Sequence, residues 1–170
     1  MLIRDATTED VPQILAIYND VIATSTAIYA VAPATLGDRA EWLDARKARG
    51  YPVLVGVEND LVLGFSSFGD WRGAWSAYRY TVEHSVHVRA DRRGQGVGGR
   101  LVEALFPRAL AMNMHVIIGA IDAANEGSLR FHQRLGFQRA AHFSEVGHKF
   151  GRWLDLVFMQ KYLDAPGAPR

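Results

Sequence analysis

The stretch that decides the fold runs from Thr81 to Val102 and reads TVEHSVHVRADRRGQGVGGRLV. Its first eight residues alternate between two faces, which is the period of a β-strand with one buried side. One face would carry Val82, His84, Val86 and Val88, and the other Thr81, Glu83, Ser85 and His87. Four glycines follow, and apolar residues then recur at helical spacing. The stretch therefore predicts a strand, a glycine-rich loop and a helix in direct succession.

The glycine-rich loop is typical of a site for a phosphate group. Gly94 and Gly96 have no Cβ atom, so the backbone can approach a ligand closely and adopt positive φ. The first amides of the following helix have no intrahelical partner and attract anions. Arg92 and Arg93 add positive charge at the mouth of the loop. A flexible surface loop is the alternative, but the strand before it and the helix after it favour phosphate binding.

A dinucleotide-binding fold is one interpretation of this loop. Gly94-x-Gly96-x-x-Gly99 matches the dinucleotide fingerprint, and Asp122 lies roughly where an acidic ribose partner is expected. However, the preceding strand alternates instead of being nearly all apolar, and no second mononucleotide-binding half is visible. A Walker loop does not fit, because no Gly-Lys-Ser/Thr follows the glycines. A nicotinamide-dependent oxidoreductase therefore remains only as an alternative.

The loop resembles another family more closely. The run from Arg93 to Gly98, RGQGVG, is similar to the Gln/Arg-x-x-Gly-x-Gly/Ala pyrophosphate loop of the GNAT superfamily of N-acetyltransferases, which bind acetyl-coenzyme A (acetyl-CoA). Residues 70–72, 81–86 and 149–155 resemble the phosphinothricin acetyltransferase branch, close to the methionine sulfone and methionine sulfoximine N-acetyltransferases. This resemblance covers the chain from Ile3 to about Leu163.

The resemblance implies an α/β (α+β) fold, with a mixed, mainly antiparallel central sheet, splayed central strands and helices on both faces. It implies that acetyl-CoA lies in the wedge between the splayed strands as a co-substrate. The residues expected to bind it are Val86, His87, Val88, Arg93, Gly94, Gln95, Gly96, Val97, Gly98, Gly99, Asn125 and His132. The residues expected at the amine substrate are Arg72, Gly73, Ala74, Glu83, His84 and Ser85.

Glu83 is the candidate general base, since it matches the position of the base proposed for this branch. A carboxylate with an ordinary pKa of about 4.3 is a weak base for an ammonium group, so burial or a water relay must help. An ion pair with Arg72 or Arg79 is the structural alternative. The backbone N–H groups of Val86 to Val88 are expected to hold the acetyl carbonyl, which requires splayed strands because a fully paired strand has no N–H to spare.

His132 marks a departure from the wider superfamily. Many members have a tyrosine five residues before the phenylalanine that corresponds to Phe137, and it protonates the leaving thiolate. We expect His132 to bind the coenzyme and not to act as an obligatory acid. The other histidines are not spaced with carboxylates as a recognisable metal site, so no metal is expected.

Length and composition fit one globular domain. The 170 residues predict a single domain over 1–164 and a frayed tail over 165–170. A net charge of +1 argues against nucleic acid or a membrane surface as the main partner. No cysteine is present, which excludes disulfides and thiolate chemistry and is compatible with the cytoplasm. No signal segment and no apolar run long enough to span a membrane is found.

Periodicity and turn residues predict the remaining elements. Strands are expected over 2–5, 52–58, 61–69, 81–88, 116–121, 137–143 and 153–162, and helices over 9–21, 36–49 and 125–136 as well as after the glycine loop. Pro107 should kink or shorten the helix that contains it. Trp71, Trp75, Tyr78 and Tyr80 precede the central strand and are expected to wall a pocket.

These observations predict an acetyl-CoA-dependent N-acetyltransferase that acts directly on the α-amino group of a small amino-acid-like substrate. The branch suggests methionine sulfone, methionine sulfoximine or phosphinothricin. A non-catalytic acyl-CoA-binding module is the second interpretation, and the oxidoreductase the third. The expected partner is a small-molecule amine, without nucleic acid or membrane, and the resemblance implies a homodimer.

Overall fold

The computed structural model describes residues 1–163, which form one seven-stranded sheet and five α-helices. The strands are β1 (Leu2–Asp5), β2 (Val53–Glu58), β3 (Leu61–Asp70), β4 (Thr81–Val88), β5 (Val116–Asp122), β6 (Gln138–Lys149) and β7 (Arg152–Tyr162). The helices are α1 (Val11–Thr24), α2 (Leu36–Ala48), α3 (Val97–Glu103), α4 (Leu105–Ala111) and α5 (Glu126–Arg134). The predicted domain end at residue 164 and the predicted frayed tail lie outside the described residues.

The sheet has the order β1-β2-β3-β4-β5-β7-β6, and every neighbouring pair is antiparallel except β4 and β5. The parallel pairing of β4 with β5 extends only from Thr81↔Val116 to His84↔Gly119. Beyond that point the two strands separate and leave a wedge between residues 85–88 and 120–122. The predicted mixed, mainly antiparallel sheet with splayed central strands is confirmed.

Helices cover both faces of the sheet, as predicted. The helices α1 and α2 pack on one face around a core that includes Ile14, Leu43, Val55 and Phe65. The helices α3 and α4 pack on the other face around Phe68, Val82, Leu101, Leu105 and Ile117. The alternation along β4 decides this division, because Val82 faces the second core while Glu83 points to the α1 and α2 side.

Local hydrogen bonds and backbone angles set several element boundaries. Thr35 caps α2 by accepting a hydrogen bond from the Asp38 amide at 3.2 Å, and the Asp38 carboxylate accepts one from the Thr35 amide at 2.7 Å. Asn59 and Asp60 have φ of 49° and 62°, as a two-residue hairpin of the primed type requires. The helix after the glycine loop breaks at Ala104 into α3 and α4, close to Pro107.

The largest difference from prediction is in β6, which extends to Lys149 and not to residue 143. Its register against β7 shifts between Phe143 and Gly147, where Glu145 has a φ of 54°. The Glu145 amide donates to the Asp155 carboxylate at 2.9 Å, which stabilises this irregularity. An irregular register breaks the two-residue period, so the sequence pattern stops before the strand does. Within residues 1–163, no helix is long and apolar enough to cross a lipid bilayer.

Candidate active site

Two connected cavities meet at the wedge between β4 and β5. The first, the wedge cavity, has a volume of about 450 Å³ and is lined by both splayed strands, by α1 and α2, and by residues 27–29. The second, the glycine groove, has a volume of about 770 Å³ and is lined by the glycine-rich loop and the start of α5. They share a wall made of Ala27, Val86, His87, Asn125 and Ser128. A ligand in the groove can therefore present one end to the wedge cavity.

The wedge leaves two backbone amides of β4 facing the space between the strands. The Arg89 amide donates to Leu63 on β3, and the Thr81 carbonyl accepts from Trp71 on the same side. Because backbone groups alternate in direction along a strand, Val86 and Val88 direct their N–H groups toward the wedge. The amide of His87 points to β3 instead, so of the three expected backbone donors two face the opening.

The glycine-rich loop has the open surface that a phosphate ligand needs. Gly94 and Gly96 have φ of 75° and 79°, which only glycine adopts readily. A Cβ atom built at Gly94, Gly96 or Gly99 meets no atom within 4 Å, so this surface is free for a ligand. Arg92 and Arg93 line the same groove. These residues fit the diphosphate of a coenzyme, with charge and unpaired amides on one concave face.

Other predicted coenzyme residues have different surroundings. Val97 and Gly98 line the groove, and a Cβ atom at Gly98 would lie 3.5 Å from Val88 and 3.6 Å from Phe131. Gln95 does not line the groove; its side chain donates to the Asp91 carbonyl at 3.2 Å. Asn125 caps α5 by accepting from the Ser128 amide at 3.0 Å and lines both cavities.

Glu83 lies in the wedge cavity on the side covered by α2. Burial raises the pKa of Glu83 above its usual range, and the positive charge of Arg46 opposes that rise. Among the described residues its carboxylate has no ion-pair partner within 4.0 Å, so the structural alternative of a pair with Arg72 or Arg79 is not formed. A half-buried, unpaired carboxylate is a suitable proton acceptor.

Three histidines beside the wedge are neutral near pH 7. Burial, with smaller contributions from the neighbouring His132 and His87, lowers the pKa of His84 to about 3. Burial, with smaller contributions from the charges of Arg39 and Arg93, lowers the pKa of His87 to about 4. Burial also lowers the pKa of His132, against a hydrogen bond to the Ser128 carbonyl that raises it. None of the three is therefore a cationic acid in the free enzyme. Within residues 1–163 no three histidine or acidic side chains are grouped as a metal site.

The structure places His132 in the wedge cavity and not among the residues that line the glycine groove. Its Nδ1 lies 2.8 Å from the Ser128 carbonyl, so Nδ1 carries the hydrogen and Nε2 is left as an acceptor. A Cβ atom built at Gly119 would be 3.0 Å from Nε2 of both His84 and His132. The two imidazoles therefore lie together over this glycine, in the wedge cavity.

The loop between β3 and β4 is not part of the wedge cavity in the described chain. Arg72, Gly73 and Ala74 are exposed, and the Arg72 guanidinium lies 5.5 Å from the ring centre of Tyr78. Trp75 is 62% exposed, and Trp71 packs on Phe158 with ring centres 5.0 Å apart. The expectation that these aromatic residues wall the pocket is wrong for the cavity seen here. Ser85, by contrast, lines the cavity next to Glu83.

The positive charge inside the wedge cavity comes from Arg39, which no sequence pattern singled out. The guanidinium of Arg39 lies 4.1 Å from the ring centre of Tyr18 and 5.0 Å from that of Trp42. Its Nε is buried without a hydrogen-bond partner in the described chain. Among residues 1–163, no other lysine or arginine lines the cavity. An arginine near the start of a helix is usually solvated. The only sequence feature that could have indicated a buried position for Arg39 is Trp42, which lies three residues later on the same helix face.

A second unpredicted wall is the segment from Ser25 to Tyr29, between α1 and α2. The Lys149 ammonium donates to the carbonyls of Ser25 and Ile28 at 2.8 Å and 2.7 Å. The Tyr29 hydroxyl donates to the Asp155 carbonyl at 2.9 Å. Lys149 and Asp155 belong to the segment 149–155 singled out above, so part of that motif serves to hold this wall.

Asp122 is not available to a ribose. It is buried, and it accepts hydrogen bonds from the Thr26 hydroxyl and, at 3.0 Å, from the Ala124 amide. The interpretation as a dinucleotide-binding fold thus loses its acidic ribose partner, and the mainly antiparallel sheet is not the doubly wound parallel sheet of that fold.

The splayed strands, the open glycine loop and the adjoining cavity with a raised-pKa carboxylate define an acyltransferase site built for a coenzyme A thioester. Residues 14–137 match the acetyltransferase (GNAT) family. The chain belongs to this family and is an N-acetyltransferase that takes acetyl-CoA as its co-substrate. The predicted family, fold class and co-substrate are confirmed.

Three proteins with similar sequences or structures are named as acetyltransferases. The L-methionine sulfoximine/L-methionine sulfone acetyltransferase of Pseudomonas paraeruginosa is 50% identical over 163 residues, which cover 95% of this chain and 94% of that protein. The structure of yncA from Salmonella typhimurium with its cofactor acetyl-CoA is 44% identical with a TM-score of 0.95, over 100% of this chain and 98% of that one. The structure of a phosphinothricin acetyltransferase from Sinorhizobium meliloti, in complex with acetyl-CoA, is 30% identical with a TM-score of 0.93. The match covers 99% of this chain and 91% of that one.

Proposed function

We propose that this enzyme acetylates the α-amino group of a small amino acid of the methionine sulfone, methionine sulfoximine or phosphinothricin type. The observation that carries the proposal is the pairing of charges in the wedge cavity, where Glu83 and Arg39 line one space of about 450 Å³. An amino acid carries an ammonium and a carboxylate group, which match these two charges. The volume is in the usual range for a small ligand. The names of the relatives are consistent with this class.

Different residues of this chain would bind the coenzyme and stabilise the reacting carbonyl. Arg93 and the glycines of the loop would hold the diphosphate of acetyl-CoA, and the amides of Val86 and Val88 would bind the thioester carbonyl. The coenzyme supplies an activated acyl carbon, to which the substrate nitrogen bonds while the carbon–sulfur bond breaks. The same two amides stabilise negative charge on the carbonyl oxygen during transfer. Asn125 and Ser128 lie where the two cavities join.

Glu83 takes the proton that the substrate ammonium must lose, directly or through a water molecule. Burial raises its pKa, which makes the carboxylate a stronger base than an exposed glutamate. The leaving thiolate needs no obligatory acid, since a thiol pKa near 8.5 makes it a fair leaving group. His132 is neutral with Nε2 unprotonated in this arrangement, so we propose no acid role for it.

The deciding experiment measures coenzyme A release with a panel of amines. Methionine sulfone, methionine sulfoximine, phosphinothricin and the common amino acids are compared, with N-acetylmethionine sulfone as the blocked control. We expect turnover only with a free α-amine, and Glu83→Gln should lower kcat at pH 7 by roughly 10²-fold, with a smaller loss at high pH. A folded Glu83→Gln variant with normal turnover would refute the base assignment. Acetyl-CoA binding without turnover of any amine would favour the non-catalytic module.

We also propose a homodimer in the cytoplasm. The ribbon of β6 and β7 exposes Phe143, Val146, Phe150 and Trp153 at 48% to 62%. Phe143 and the loop residue Trp71 both pack on Phe158, so this apolar surface is continuous with the β3–β4 loop. A surface of this kind on a small protein favours burial against a second copy. Sedimentation equilibrium should give twice the chain mass, and a double change of Phe150 and Trp153 to glutamate should give a monomer.

A further inference from the structure

A glycine in β3 leaves a slot directly beside Glu83. Gly69 and Glu83 are register partners, so their side-chain positions lie on the same face of the sheet. A Cβ atom built at Gly69 would overlap Nη1 of Arg46 and lie 2.8 Å from its Nη2. The guanidinium of Arg46 therefore occupies the place of a side chain at Gly69. Directly paired Cβ positions are about 4.5–5.5 Å apart, which brings the charge to the base of the Glu83 side chain.

The other groups around Arg46 leave its charge free to act on Glu83. Asp70, the acidic group that acts most strongly on Arg46, is itself bound by Arg49 and by the Tyr51 hydroxyl. Arg46 forms no ion pair within 4.0 Å among the described residues, and its Nε is buried without a partner. Its ring neighbour Tyr51 is 6.0 Å away and uncharged at neutral pH.

The remaining neighbours of Glu83 do not compete with this effect. Its partner on β5 is Ile118, which is apolar. The other titratable groups that line the wedge cavity are Tyr18, Tyr29, Arg39, His84, His87, Asp122 and His132. Tyr29 and the histidines are neutral near pH 7. Asp122 is bound by the Thr26 hydroxyl and lies 3.5 Å from the Arg152 guanidinium. Arg39, the other positive charge in the cavity, lies against the rings of Tyr18 and Trp42. Within the described chain, Arg46 is the one charge that lowers the Glu83 pKa against burial.

We propose that Arg46 is a positioning residue that keeps Glu83 ionised, through the slot that Gly69 leaves open. Burial alone would make Glu83 a stronger base but would also favour its protonated form, and a protonated carboxyl cannot accept the amine proton. A fixed positive charge behind the carboxylate, outside hydrogen-bond distance, restores ionisation while both carboxylate oxygens stay free for the substrate. The inference rests on the proposed role of Glu83 as the base.

The direct test titrates the carboxyl carbon of Glu83 by NMR in the free enzyme, with Glu83→Gln to assign the signal. Arg46→Met should raise the Glu83 pKa, because loss of a nearby opposite charge disfavours the ionised carboxylate. Gly69→Ala should also raise it, because the added methyl group displaces the guanidinium. Arg46→Lys should keep part of the effect. Arg49→Met is the matched control, since it removes the other arginine near Asp70 and should leave the Glu83 pKa unchanged.

Kinetics separate this inference from the proposed function. In Arg46→Met the acidic limb of kcat/KM against pH should move to higher pH by the same amount as the Glu83 pKa, with an unchanged KM for acetyl-CoA. An unchanged Glu83 pKa in Arg46→Met overturns the inference. If that variant fails to fold, Gly69→Ala tests the same effect, and an unchanged Glu83 pKa in Gly69→Ala overturns the inference equally. A raised pKa with an unmoved pH profile supports the effect of Arg46 and refutes Glu83 as the base.

Discussion

Replacing Lys149 by methionine should release the segment from Ser25 to Tyr29 that closes the wedge cavity. The Lys149 side chain is 4% exposed, and its ammonium donates to the carbonyls of Ser25 and Ile28 at 2.8 Å and 2.7 Å. Methionine keeps most of the apolar stem and removes the charge. Both carbonyls then lose their donor, and the segment must either leave them unpaired or move to reach water.

The two hydrogen bonds set the size of the effect. A hydrogen bond to a charged group contributes about 1.5–3 kcal/mol, so the pair sets an upper range of about 3–6 kcal/mol. Burial lowers the pKa of Lys149, which means that the ammonium is held at a desolvation cost that methionine does not carry. The net loss should therefore be smaller, about 2–4 kcal/mol. For a chain of this size that corresponds to a fall in Tm of about 4–16 °C.

Urea unfolding and thermal melting measure this loss, with Lys47→Met as the control. Lys47 is an exposed lysine on α2, and its replacement should change the free energy of unfolding by less than about 0.5 kcal/mol. Residues 27–29 line the wedge cavity, whereas of this segment only Ser25 and Ala27 reach the glycine groove. Lys149→Met should therefore raise KM for the amine more than KM for acetyl-CoA. If Lys149→Met is as stable as Lys47→Met and keeps both KM values, the segment is not held in the way described.

Two further predictions concern the ligands. Gly96→Ala should weaken acetyl-CoA binding at least about tenfold by calorimetry. Gly151 is the control, because its φ of 73° is close to the 79° of Gly96 and a Cβ atom there also meets no atom within 4 Å; Gly151→Ala should lower stability only. Equal affinities for acetyl-CoA in the two variants would disprove the loop assignment. Arg39→Met should raise KM for methionine sulfone roughly 10–150-fold, because it removes the contact to the substrate carboxylate. KM for the amine that lacks this carboxylate, decarboxylated methionine sulfone, should not change. Arg72→Met should raise KM for methionine sulfone by a smaller factor than Arg39→Met does. The reverse ranking would return the carboxylate contact to Arg72, as the sequence had suggested.

The parts of the site that the sequence predicted are those encoded by a continuous stretch. The alternation of β4 assigns Val82 and Glu83 to opposite faces, and the structure agrees at each position. The glycine loop follows at once, so its strand-to-helix context is visible without tertiary information. The splay of β4 from β5 has no signature in hydrophobic period, and it was expected only from the family resemblance. The order of residues along a continuous stretch thus predicts the glycine groove better than it predicts the wedge between β4 and β5.

The wedge cavity, where the amine substrate is proposed to bind, could not be predicted from the sequence because its walls come from distant segments. The hydrogen bonds that hold residues 25–29 join groups 121 to 126 positions apart, and no periodicity connects them. Arg72 was chosen from a motif, but a motif fixes residue types and not which cavity a loop side chain reaches. Gly69 is the most informative case. An isolated glycine inside a strand indicates close approach by another group, and here that group is the charge placed beside Glu83. The absence of a side chain on one strand thus controls the chemistry of the residue paired with it.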